Sequence, residues 1–292
     1  MFGDTVLQFL VQCLNGVQYG LLLFLVASGL TLVFGVMGVI NLAHGSFYML
    51  GAYLIFFFAT LTGSLTIALI VAVPISLAFG YFRVALVFRH LYVRDHLYQV
   101  LLTFGLILVF VEFRSLVFGD DVHGVKVPAL LDFSIPLTDT LSYPFYRIFL
   151  SLICIVVAGA LYLLIMRTRL GMIVRAGSTN REMVQSLGID INLIYQILFA
   201  LGVALAAFAG MIAAPVASVF PGMGNEILII SFVVVVIGGI GSIKGAFIGS
   251  LLIGVADTFG QVLVPSIAGM VIYMLMAAVL LWRPAGLFGT RL

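Results

Sequence analysis

Nine runs of roughly twenty apolar residues, parted by short polar connections, fix what this chain can become. They lie near 6–34, 45–61, 64–82, 97–118, 143–166, 192–214, 227–243, 246–263 and 267–283. A helix rising ~1.5 Å per residue needs about 20 such residues to cross a hydrocarbon core of ~30 Å. The pattern predicts an all-α polytopic membrane protein with one transmembrane domain over residues 1–292; eight or ten spans satisfy it as well. The first run is long for one crossing, and Asn15–Gly16 is where a short interfacial helix would join it. Composition agrees, with 64% hydrophobic and 8% charged residues. Water does not solvate such a surface, which excludes a soluble enzyme and makes lipid the solvent. A net charge of +2 offers no face to nucleic acid phosphates. Cys13 and Cys154 sit in apolar runs and read as core residues. The first basic residue is Arg83, so no cleaved signal peptide is expected.

Basic residues set the orientation, because Lys and Arg stay on the cytoplasmic side. Arg83, Arg89 and Arg94 share one connection, and Arg167, Arg169, Arg175 and Arg181 share another. Lys244 lies in a third, and Arg283 and Arg291 follow the last run. The 119–142 connection instead holds Asp120, Asp121, Asp132 and Asp139 against Lys126, and 215–226 holds only Glu226. Nine crossings bring every basic cluster to one side, with the N-terminus outside and the C-terminus cytoplasmic.

Two glycine-rich interruptions stand out. Residues 35–46 carry Gly38, Asn41, His44 and Gly45; residues 238–245 carry Gly238, Gly239, Gly241 and Lys244. An offset of 200 superposes Gly38 on Gly238, Gly45 on Gly245 and His44 on Lys244. Paired interruptions in two halves of a chain point to a transporter's pathway, because unwound backbone survives at membrane depth only where protein or water satisfies it. Both segments also read as tight turns between antiparallel helices. A broken or re-entrant segment is expected near 35–46, where Asn41 and His44 add polar groups that a turn does not need.

The connection 167–190 is the longest polar stretch on the basic side. Ser178, Thr179 or Asn180 caps a short helix opening with Arg181–Glu182 and ending before Gly188. Met183, Val184 and Leu187 form its apolar face, suited to a partner's groove or to lipid headgroups. Asp257 falls near mid-membrane in the eighth run, with Thr258 and Gln261 as partners, and serves either helix packing or a pathway. Glu112 and Arg114 lie nearer an outer end and are expected to snorkel. No Gly-x-x-x-x-Gly-Lys-Ser/Thr loop, zinc spacing or nucleophile elbow occurs, so catalytic and metal-binding residues are absent.

Three ordered segments carry a family resemblance. Residues 29–53 (GLTLVFGVMGVINLAHGSFYMLGAY), 175–189 (RAGSTNREMVQSLGI) and 232–249 (FVVVVIGGIGSIKGAFIG) resemble the LivH-type permeases of branched-chain amino acid ABC importers. The resemblance covers nearly the whole chain; Met183 and Val184 depart from the small residues usual after the Arg-Glu pair. It implies a type II ABC importer fold and a permease subunit moving branched-chain or related small amino acids across the inner membrane. Urea or short amides are the alternative cargo. A self-contained secondary transporter or channel for a small neutral solute is the alternative class. Implied partners are a second permease subunit (related or identical), cytoplasmic ATP-binding subunits that hydrolyse the ATP, and an extracytoplasmic solute-binding protein. No cofactor is implied in this chain. Gly38, Asn41, His44, Gly45, Gly238, Gly239, Gly241 and Asp257 are then expected along the pathway, and Arg175, Arg181, Glu182 and Gly188 at the ATPase contact.

Overall fold

A computed structural model describes residues 2–84, 96–138 and 142–289. Arg89, Arg94, Asp139 and Arg291 lie outside the described residues. In chain order the helices are α1 (Phe2–Met37), α2 (His44–Thr62), α3 (Leu65–Phe79, continued by a π-helical turn Gly80–Val84) and α4 (His96–Phe118). A small hairpin, β1 (Ser134–Pro136) and β2 (Ser142–Pro144), pairs Ile135 with Tyr143. Then come α5 (Phe145–Arg167), α6 (Arg169–Thr179), α7 (Arg181–Ser186), α8 (Ile191–Ala217), α9 (Met223–Gly238), α10 (Ile243–Leu263) and, after a 3₁₀ turn at Pro265–Ile267, α11 (Ala268–Trp282). Eight of the described helical segments are long and apolar enough to cross a membrane. The ninth apolar helix, α9, has only 16 residues.

Helix α1 runs unbroken for 36 residues, about 54 Å at ~1.5 Å per residue. The expected joint at Asn15–Gly16 is therefore absent. Gly16 serves close packing: a Cβ there would lie 2.8 Å from Val255 Cα, and one on Gly20 would lie 2.8 Å from the Ser250 carbonyl. Glycines four residues apart share one helix face, so they let α10 approach without interrupting α1.

The central posts are α1 and α8, whose most apolar windows are 78% and 83% buried, against 11% at the terminal span. They run antiparallel. Tyr195 Oη donates to the Val36 carbonyl at 3.4 Å near one end, and a Cβ on Gly29 would lie 2.7 Å from the Gly202 carbonyl near the middle.

Each post is followed by a break that turns back into the bundle. Helix α1 ends at Met37, yet His44 Nε2 lies 3.0 Å from the Val26 carbonyl. Eleven residues of helix separate those depths, about 16 Å. Residues 38–43 therefore re-enter, as the sequence predicts for 35–46, and α2 starts inside the bundle. From there α2 runs alongside α8, where a Cβ on Gly210 would lie 3.1 Å from Ala52 N. After α8 ends at Ala217, residues 218–222 turn back in the opposite sense, through Ser218 (φ 58°) and Gly222 (φ 92°). Helix α9 then begins against α2, with a Cβ on Gly224 only 2.8 Å from the Gly45 carbonyl.

The chain thus contains an inverted repeat: long helix, break, short helix, helix, seen as α1–α2–α3 and as α8–α9–α10. Its corresponding breaks are 38–43 and 218–222. The offset of 200 does not describe it. Residues 239–242 form a tight turn, in which Ser242 Oγ accepts from Gly245 N at 3.0 Å. The C-terminal segment closes the end of α9, Leu287 N and Phe288 N donating to the Ile237 and Gly238 carbonyls at 2.8 and 3.0 Å. Glycine suits both a re-entrant break and a tight turn, so the sequence match paired two different devices.

The connections gather at two ends. His123 and Val219 form an antiparallel bridge that ties the 119–142 and 215–226 segments together. His123 also stacks on Phe56 at 4.3 Å. Arg114 does not snorkel: its side chain is 4% exposed and donates to Asp120 at 2.5 Å and to the Gly119 carbonyl at 2.7 Å. Glu112 is exposed. At the opposite end Lys244 and Arg175 border one cavity.

Candidate functional site

Helices α5 and α10 flank α1 and leave a groove over it that holds three cavities in line. The first, near the acidic end, measures about 460 Å³. Asn15, Gln18 and Tyr19 of α1, Arg147 of α5, and Asp257 and Gln261 of α10 line it. The second, about 440 Å³, is almost wholly apolar and sits beside Phe24, Ala158, Gly159 and Phe247. The third, about 350 Å³, opens at the basic end among Thr31, Gly35, Arg175, Ser178, Gly241 and Lys244. Tyr162, Ile243 and Lys244 belong to both the second and the third.

This placement sorts the expected pathway residues. Asp257 borders the first cavity and Gly241 the third. Asp257 is the fifteenth of the 21 residues of α10, past its midpoint on the side of the acidic end. Gln261 Nε2 donates to Asp257 Oδ2 at 2.8 Å, whereas Thr258 Oγ1 turns to the Gly254 carbonyl. Asn41 and His44 are fully buried behind the groove. Asn41 Oδ1 accepts from Ala43 N at 3.1 Å and so shapes the break. Gly38 takes φ 66° at its start, and Gly45 packs on Gly224. Gly238 and Gly239 lie in and beside the turn, packed on Gly245 and Gly289.

Arg147 was not singled out by sequence reading. It occupies the third position of α5, beside the acidic connection, against the charge rule that orients the rest of the chain. That inversion is the signal that marks it. Arg147 Nη1 donates to Asn15 Oδ1 at 2.8 Å, Tyr143 Oη donates to the same oxygen at 3.1 Å, and Asn15 Nδ2 donates to Gln12 Oε1 at 3.2 Å.

At the basic end the 167–190 connection is two helices. Thr168 caps α6 by accepting from Gly171 N, so Ser178 and Thr179 lie inside α6 and Asn180 is the cap of α7. Asn180 Oδ1 accepts from Met183 N at 3.0 Å. Gly188 leaves α7 with φ 80°, a conformation that costs a residue bearing Cβ ~1 kcal/mol or more. The apolar face of α7 divides. Val184 is buried in a cluster with Ile191 and Tyr195, against which Val36 and Met37 pack, while Met183 and Leu187 are exposed. Arg181 stacks over the Tyr195 ring at 5.2 Å. Glu182 is exposed, and Arg175 Nη1 donates to the Ile165 carbonyl.

Comparison with known proteins gives a consistent picture. A family model described as the permease component of the branched-chain amino acid transport system matches residues 12–280. The high-affinity branched-chain amino acid transport system permease protein BraD of Pseudomonas aeruginosa is 32% identical, with 96% of each chain covered. LivH of Escherichia coli K12, described in the same words, is 30% identical over 98% of this chain and 97% of its own. A probable branched-chain amino acid transport permease LivH of Methanocaldococcus jannaschii is 28% identical over 94% and 91%. No solved structure matches.

Proposed function

We propose, from the premise that this chain belongs to the branched-chain amino acid transport permease family, that it forms half of the translocation path of an ATP-driven importer. The match across nearly the whole chain carries this reading. In it the groove over α1 is the route, covered by a second permease subunit. Cytoplasmic subunits bind and hydrolyse ATP, and an external binding protein delivers branched-chain or related small amino acids to the 119–142 and 215–226 segments. The protein sits in the inner membrane with its N-terminus outside.

The packing of α7 supports a coupling route. Met183 and Leu187 point outward, available to a partner, and Val184 on the reverse side belongs to a small core with Ile191 and Tyr195, against which Val36 and Met37, the last residues before the 38–43 break, pack. A push on α7 therefore reaches the break through that small core, in which Tyr195 Oη donates to the Val36 carbonyl. His44 ties that break to α1 and Asn41 shapes it from within, so its movement shifts the start of α2 against α9. Inverted halves packed around two central posts suit alternating access by rocking one half against the other.

The test is reconstitution. The purified chain alone is expected to hydrolyse no ATP and to accumulate no amino acid in liposomes. The assembled complex with ATP and binding protein is expected to do both. In that complex Glu182→Lys and Gly188→Val are expected to abolish uptake and substrate-stimulated hydrolysis while the spans insert normally. Unchanged uptake for both variants, or accumulation by the chain alone, refutes the reading.

A further inference from the structure

We infer that the first cavity of the groove is a binding site for a zwitterionic α-amino acid, with Arg147 taking the carboxylate and Asp257 the ammonium group. This rests on the transport reading above and assigns a substrate site to the permease chain itself.

The argument starts from two opposite charges that share a cavity and are not spent on each other. Among the described residues the one ion pair is Arg114–Asp120; neither Arg147 nor Asp257 makes one. Asp257 is 9% exposed and Arg147 is half-buried. An unpaired carboxylate or guanidinium in such surroundings is costly, and direct pairing would relieve both. Instead each is held by a neutral amide. Gln261 donates to Asp257, and Asn15, fixed in turn by Tyr143 and Gln12, accepts from Arg147. Amides orient a charge without neutralising it. A bound ligand can supply the missing partners, and a single ligand satisfies both only if it carries both signs.

The rest of the cavity fits the rest of an amino acid. Leu22, Leu150, Val216 and Val262 give an apolar wall beside the two charges. The volume of about 460 Å³ lies in the range of small-ligand sites. Below it the second cavity is lined by apolar residues apart from Lys244 at its basic end, so a hydrocarbon side chain finds matching surface. A cation leaves Arg147 unmatched, and an anion leaves Asp257 unmatched. Discrimination between a zwitterion and its singly charged analogues is therefore built from the repulsive side as well as the attractive one.

The experiment measures protection of the full chain in lipid nanodiscs against thermal unfolding, titrated with L-leucine, leucinamide (no carboxylate) and 4-methylpentanoate (no ammonium). L-Leucine is expected to protect at concentrations at least tenfold below either analogue. Asp257→Asn is expected to erase its advantage over 4-methylpentanoate, and Arg147→Gln its advantage over leucinamide. Equal protection by all three ligands on the wild-type chain, or no protection by any, overturns the site without needing a variant. ATP-driven uptake by the assembled complex is measured in parallel. Uptake without zwitterion-selective protection refutes this site and leaves the transport reading standing. Selective protection without ATP-driven uptake upholds the site and refutes that reading.

Discussion

Replacing Gly45 by alanine tests whether the starts of α2 and α9 meet inside the bundle as described. The added Cβ would lie 2.7 Å from Leu228 Cβ and would strike the Gly224 carbonyl. Backbone cannot rotate away as a long side chain can, so α2 and α9 must part by about an ångström. Overpacking of this kind costs ~1–3 kcal/mol, and the better helix propensity of alanine returns at most ~1 kcal/mol. The clash with a carbonyl puts the cost in the upper part of that range, ~2–3 kcal/mol, so the net loss is about 1–2 kcal/mol. Gly105, inside α4, is the control, because a Cβ there meets nothing within 4 Å. Gly105→Ala is expected to gain up to ~1 kcal/mol from propensity alone. At ~2–4 °C per kcal/mol, the two single variants should melt about 4–12 °C apart when followed by fluorescence in detergent. Gly224→Ala strains the same contact, so the double variant with Gly45→Ala should lose less than the sum of the single losses. A Gly45→Ala protein that melts at or above the wild-type temperature refutes the contact.

Two further outcomes follow from the ends of the bundle. On a variant freed of Cys13 and Cys154, a cysteine at Asp132 should react with an impermeant reagent from outside and one at Ser178 should not; the reverse pattern overturns the orientation. Hydrogen bonds from Arg114 and Ser115 hold the Asp120 carboxyl below its ordinary 3.8. A lowered folded-state value stabilises fully above the unfolded value and is lost as pH falls through the folded one. Unfolding temperature should therefore fall as the medium is acidified below about pH 4, and Asp120→Asn should flatten that fall; an equally steep fall in the variant refutes the pairing.

How much was legible in the sequence depended on which physical signal was local. Apolar length fixes a span, and eight described spans stand where the runs predict them. Helix α9 is shorter because it begins inside the bundle, which depends on where α8 ends and on Gly45 making room, and no window of neighbouring residues contains that. The 38–43 break was readable because Asn41 and His44 are anomalous among apolar neighbours. Its counterpart at 218–222 was missed, since Ser218 and Gly222 look like any loop. The continuity of α1 through Gly16 depends on Val255, which lies 239 positions away in the chain. At the candidate site, Asp257 announced itself by its charge, while Arg147, near the start of the 143–166 run, did not stand out. Only its violation of the charge asymmetry marked it.

The meeting of Gly45 with Gly224 also sets a timetable. Ribosomes add roughly 5–20 residues per second, so about 10–40 s separate the emergence of one partner from that of the other. For most of that interval the start of α2 has α1 beside it but neither α8 nor α9. Its first backbone N–H groups must wait in the bilayer with water, lipid headgroups or an insertion factor as their partners. The N-terminal half is thus made early and finished late. A chain stopped before α8 retains every polar group of the 38–43 break and lacks the two helices that bury them, which marks truncated products as targets for membrane quality control.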